Sequence, residues 1–140
     1  MKIQIDQSNK IEQTNKDSVI GFSNNIFGSV LMRAKDKREV EKIFKRTGKS
    51  KIFIYKLFAI LIFILIKEHL KKIDEIAIDT EYPGKDNLIK SFLMREIEKV
   101  RPDFFPRKLY FLSRLAKSRE LILWHTELSP TRNNLIKLLE

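Results

Sequence analysis

Glu75-Ile76-Ala77-Ile78-Asp79-Thr80-Glu81-Tyr82-Pro83-Gly84 is the stretch on which the fold turns. Its apolar centre, Ile76 to Ile78, has the length and β-branched content of a short buried strand, and Pro83-Gly84 is turn chemistry. The strand therefore delivers Asp79 at its C-terminal end. An apolar helix candidate precedes it and an amphipathic one follows, giving an α-β-α run. In such runs the carboxyl ends of parallel strands are where ligands and reactive groups collect. Lys2-Ile3-Gln4-Ile5-Asp6, near the start of the chain, has the same form and also closes on an aspartate.

Between these two strands the chain is punctuated by turn residues and one change of period. Residues 7–17 are polar, with Ile11 the one aliphatic, and read as a loop or a long hairpin connection. Residues 18–23 and 26–32 are two more strand candidates separated by Asn24-Asn25, with Gly28 marking a bulge or a close approach. Three short strands with hairpin-length turns predict an antiparallel meander. From Asp36 the period becomes helical: Val40, Ile43 and Phe44 recur among charged residues and Gly48 supplies a C-cap. Ser50 is placed to cap a second helix over residues 50–72 whose middle is apolar all round. Its basic close, Lys67, His69, Lys71 and Lys72, suits the negative end of the helix dipole.

Downstream, Asp86 or Asn87 opens a helix with Leu88, Ile89, Phe92, Leu93, Ile97 and Val100 on one face, closed by Arg101-Pro102. Residues 108–113 form a fifth strand candidate. Ser118 is placed to cap a helix carrying Leu121, Ile122, Leu123 and Trp124, and residues 131–140 form a last short helix.

The totals narrow the function classes. A chain of 140 residues is expected to form one domain, residues 1–140. Charged residues at 33% and hydrophobic ones at 43% are those of a folded protein. The absence of cysteine excludes disulfides, thiolate metal sites and cysteine nucleophiles, and fits a reducing, cytoplasmic setting. With His69 and His125 as the only imidazoles, a multi-histidine zinc site is not expected. No serine has a His and Asp pair at motif spacing, and the four glycines make no phosphate-cradling loop.

Net charge is +10, from 28 Lys and Arg against 18 Asp and Glu. This balance favours polyanionic partners, nucleic acid above all, the alternative being a lysine-rich solvated surface. Residues 1–16 are polar and carry no signal-peptide pattern. The one membrane candidate is the apolar run at residues 57–66; extended back to Ile52 it spans about 22 Å, short of the ~30 Å hydrocarbon core. A buried helix is expected there rather than a membrane span.

The element order β-β-β-α(α)-β-α-β-α, with aspartates ending the first and fourth strands, resembles the ribonuclease H-like superfamily, which includes ribonucleases H, Holliday-junction resolvases and transposase cores. The resemblance spans nearly the whole chain. It implies an α/β three-layer fold with a mixed five-stranded sheet flanked by helices. It also implies that the first and fourth strands lie side by side and parallel, so that Asp6 and Asp79 jointly hold Mg²⁺ or Mn²⁺. Oxygen-only ligands suit these ions, which could activate water and stabilise a leaving oxygen in phosphodiester cleavage. Taken singly, Asp79 opening a turn and Asp6 closing a hairpin are ordinary strand-end aspartates.

The family uses further acids. The one from the first long helix is missing here, since that helix has its first acid at Glu68, about 27 Å along the axis from Ser50. Glu39, or Asp36, substitutes if residues 36–47 pack over the same edge; otherwise Glu39 sits on a solvated face between Lys37 and Arg38. Glu120, at the start of the Ser118 helix, corresponds to the last family acid, although capping electrostatics explains it equally well. Glu81 is a further candidate. Arg114, Lys117 and Arg119 surround Glu120 and, with Lys85 and Lys90, suit phosphate contacts. His125 is a candidate proton shuttle, with a packed or surface histidine as the alternative. Trp124 is read as core rather than as a base-stacking platform.

The sequence therefore supports a Mg²⁺-dependent nuclease or related nucleic-acid-processing protein. The alternatives are a non-catalytic basic nucleic-acid-binding module of the same fold and a small membrane-associated protein using residues 52–66. The resolvases it resembles are dimers, which makes a homodimer an expectation to test.

Overall fold

The computed structural model describes residues 1–23, 27–113, 127–128 and 132–139. Its sheet is built around the two aspartate-bearing strands, β1 (Lys2–Ser8) and β4 (Glu75–Asp79). They pair in parallel, Lys2 with Glu75 through to Ile5 with Ile78. β2 (Ser18–Ser23) and β3 (Phe27–Met32) follow β1 as the expected antiparallel meander. β5 (Leu109–Leu112) adds to the other side of β4, also in parallel. The order across the sheet is β5-β4-β1-β2-β3-β6. The last member, β6 (Glu127–Leu128), is a two-residue strand parallel to β3 that the sequence did not announce. β2 alone opposes the direction of the others.

Residue choice explains the sheet. In β1, Ile3 and Ile5 are fully buried while Lys2, Gln4 and Asp6 are not, the alternation of a half-covered strand. β4 lies between two parallel neighbours, and Ile76, Ala77, Ile78 and Asp79 are all buried, the pattern of a strand covered on both faces. Gly28 is a close approach: a Cβ built there would lie 2.6 Å from Cε1 of Phe22, its neighbour across the β2–β3 ladder.

The helices are α1 (Ala34–Arg46), α2 (Phe53–Ile66), α3 (Asp86–Val100) and α4 (Arg132–Leu139). α2 is the apolar run, and every residue from 57 to 66 is buried. It begins later than its sequence suggests: Ser50–Ile52 is a 3₁₀ turn and no side chain caps the α-helix. It also ends earlier, passing into a second 3₁₀ turn at Lys67–His69. Among the described residues no helix is long and apolar enough to cross a membrane.

α2 packs against β2 and β3 on one side and against α3 and α4 on the others, while α4 also meets α1. The described helices are thus joined through α2 and α4. The Ser118 helix lies outside the described residues. At its end α3 is tied back to the α2–β4 connection, where the Arg101 guanidinium donates to the carbonyls of Leu70 (2.6 Å) and Ile73 and lies over the Phe104 ring.

Candidate functional site

The parallel register that pairs Ile5 with Ile78 places Asp6 opposite Asp79 one residue further on. Parallel neighbours in register present side chains to the same face, with strands ~4.8 Å apart. Asp6 and Asp79 therefore share a face at the carboxyl edge of the sheet, along with Gln4 and Ala77. Asp79 is buried, at 2% exposure, and its Oδ1 accepts from the Gln4 side-chain amide at 3.1 Å. Asp6 is half-buried and its Oδ1 accepts from the backbone N–H of Gln7 at 2.7 Å. Two carboxylates so placed favour a shared cation or proton. Gln4 was not anticipated as part of this group, although its place two residues before Asp6 on an alternating strand puts it on the same face.

The chain after β4 turns sharply. Lys85 N–H donates to the Tyr82 carbonyl at 3.0 Å across Pro83-Gly84, and Gly84 has φ +81. Proline second and a positive-φ glycine third make a type II turn. The turn starts α3 beside the sheet edge and buries Tyr82 and Glu81, at 6% exposure each. The Tyr82 hydroxyl accepts from the backbone N–H of Ile11 at 3.1 Å and meets the Gln7 side-chain amide at 3.2 Å. Burial holds this phenol protonated well above its ordinary range. Its ring meets those of Phe58 and Tyr55 edge-on. Lys10 lies over Tyr82 and Lys85 over Tyr55, with Nζ 5.8 and 5.5 Å from the ring centroids.

The β1–β2 connection, residues 9–17, is fixed onto this edge from the other side. Lys37, on α1, is fully buried and donates to three of its carbonyls: Lys16 at 2.7 Å, Gln13 at 3.2 Å and Lys10 at 3.3 Å. Desolvation pushes its ammonium down to about 8, against the pull of Asp17 and Glu12. Arg38 donates to the Thr14 carbonyl at 2.8 Å, and Asp17 Oδ1 caps α1 by accepting from Ala34 N–H at 2.8 Å. α1 does pack against the edge, but the residue it commits there is a lysine.

Glu39 is half-buried on α1. Among the described residues no group of three or more His, Asp or Glu could hold a metal ion, so Glu39 does not complete a set with Asp6 and Asp79. Asp86, which sequence reasoning used only as a helix start, has a buried Oδ1 with no hydrogen-bond partner among the described residues. Burial raises its pKa, with the Thr80 hydroxyl opposing. Lys85 is exposed at the start of α3, and Glu68 lies in the 3₁₀ turn beyond α2. Glu120, Arg114, Lys117, Arg119, Trp124 and His125 lie outside the described residues.

Chemically, the edge offers two adjacent carboxylates and one amide, with two lysines and two tyrosines beside them. Mg²⁺ is commonly held by one or two carboxylates plus substrate phosphates rather than by an all-protein cage. The donor set thus fits an ion that a phosphodiester would help to bind. Comparison with family models, with curated proteins and with solved structures finds no match to this chain.

Proposed function

We propose that this protein is a divalent-metal-dependent nuclease on a ribonuclease H-like fold. The observation that carries the reading is the placement of Asp6 opposite Asp79 on neighbouring parallel strands, at the edge where such strands present ligands. A net charge of +10 supports a polyanionic substrate, and Lys10 and Lys85 stand at the same edge. In this reading Asp6 and Asp79 hold Mg²⁺ or Mn²⁺, which supplies an activated water and charge stabilisation at the leaving oxygen. Gln4 orients Asp79. Lys10 and Lys85 position the phosphate backbone, and the anchored 9–17 loop keeps Lys10 fixed before substrate arrives. Glu120 is the proposed third acid, with Arg114, Lys117 and Arg119 as further phosphate contacts.

The test is cleavage of end-labelled single-stranded, duplex and hybrid DNA and RNA with Mg²⁺ or Mn²⁺, against an EDTA control. Asp79→Asn is expected to lower the rate by about a hundredfold or more while leaving the melting temperature near that of the parent. Cleavage by Asp79→Asn at the parent rate would refute the assignment. A second reading is a non-catalytic nucleic-acid-binding module: among the described residues no group of three or more His, Asp or Glu could hold a metal ion. It predicts salt-sensitive binding with no metal-dependent cleavage in any substrate.

A further inference from the structure

On the helical side of the molecule, α2, α3 and α4 enclose a cleft of about 260 Å³. Four cations line it: Lys56 from α2, Arg95 and Lys99 from α3, and Lys137 from α4. One acid, Glu96, lines it too, and its carboxylate is taken by Lys99 at 3.2 Å. Among the described residues Lys56, Arg95 and Lys137 make no ion pair. The floor is apolar, formed by Ile60 and Phe92, and Lys56 Nζ lies 5.9 Å from the Phe92 ring centroid. Lys56 is held below its ordinary pKa by burial first and then by its like-charged neighbours, Lys49, Arg95 and Lys99. Cations gathered from three separate helices repel one another, and an anion among them would reverse that cost.

A second cavity, of about 310 Å³, meets the first at Lys56. Val40, Ile43 and Phe44 of α1 and Leu139 of α4 give it apolar walls, with Lys49 at its rim. A cationic pocket beside an apolar one has the two-part chemistry of a phosphorylated aromatic ligand. We propose that this double cleft binds a nucleoside monophosphate, its phosphate among Lys56, Arg95 and Lys137 and its base in the neighbouring cavity against Ile43 and Leu139. The site is independent of the carboxylate edge and does not rest on the nuclease reading.

The experiment is isothermal titration of the full chain in EDTA at constant ionic strength. Adenosine monophosphate, inorganic phosphate and adenosine are compared. Saturable binding of the monophosphate is expected, at least tenfold tighter than either inorganic phosphate or adenosine. The paired substitution Lys56→Gln/Arg95→Gln should weaken it tenfold or more, and the exposed Lys137→Gln should weaken it alone. Ile43→Asn should weaken the monophosphate without changing inorganic phosphate. Unliganded melting temperatures of the variants establish that each is folded. Equal affinity for monophosphate and inorganic phosphate would overturn the base half of the site. Monophosphate binding unchanged in both Lys56→Gln/Arg95→Gln and Lys137→Gln, or no binding to the parent at millimolar concentration, would overturn the whole.

Discussion

Lys37→Met should unlock the loop that borders the carboxylate edge, and its effect should depend on pH in a defined direction. The substitution keeps an unbranched apolar stem in the buried slot and removes the ammonium. Three carbonyl acceptors, on Lys10, Gln13 and Lys16, then lose the ammonium, although those of Lys10 and Gln13 keep the backbone N–H groups of Gln13 and Lys16. Hydrogen bonds from a charged donor contribute about 1.5–3 kcal/mol each before desolvation is counted. Gln13 and Lys16 are exposed and can recover water, and the variant no longer buries a charge, so the net loss should be about 2–4 kcal/mol at pH 7. The folded-state pKa of about 8 lies below the ordinary 10.5. Between those values the unfolded chain binds a proton that the folded chain does not, so stability from this group rises with pH. It is full above the unfolded value and is lost as pH falls through about 8. Urea unfolding at half-unit steps from pH 7 to 10 gives the difference between parent and Lys37→Met, in which the other titrating groups cancel. That difference should grow across the window, and amide exchange should accelerate at residues 10–16 in the variant. A difference that stays flat or shrinks, or a loop with unchanged exchange, would refute the reasoning.

Two further expectations concern the same face and the core. Gly28→Ala should cost about 1–3 kcal/mol by driving a methyl into Phe22, and Phe22→Leu should relieve part of it, so a double-mutant cycle from thermal melts should show a favourable coupling. Tyr82→Phe leaves the buried Ile11 N–H without its acceptor and should cost about 1–3 kcal/mol, with faster amide exchange at Ile11 as the local readout.

Much of this architecture was legible in the residues. The Ile76–Ile78 run, β-branched and stopped by Pro83-Gly84, read as a buried strand, and the alternation of residues 2–6 read as a second one ending on Asp6. Residues 57–66 read as a buried helix, because the run is apolar all round and short for a bilayer, with membrane association as the alternative. What escaped depended on contacts between distant segments. Lys37 looked like one charge among many on a solvated helix, because nothing local says that three loop carbonyls will converge on it. β6 escaped because two residues carry no period. Ser50 was a reasonable cap, but the chain tightens into a 3₁₀ turn there and the apolar helix starts at Phe53 without one. On α1 the buried register is Lys37, Val40 and Phe44, with Glu39 half-buried beside it, a division that the charged run 35–39 did not reveal.

The enclosure of α2 has a consequence for biosynthesis. Its partners α3 and α4 lie downstream, so the oiliest segment leaves the ribosome well before the chain that shields it has been made. During that interval the β1–β3 meander can cover one flank at most, and the remainder is a sticky surface exposed to other nascent chains. Translation speed past residue 66, and the availability of holdase chaperones, should therefore govern how much of the protein matures instead of clumping.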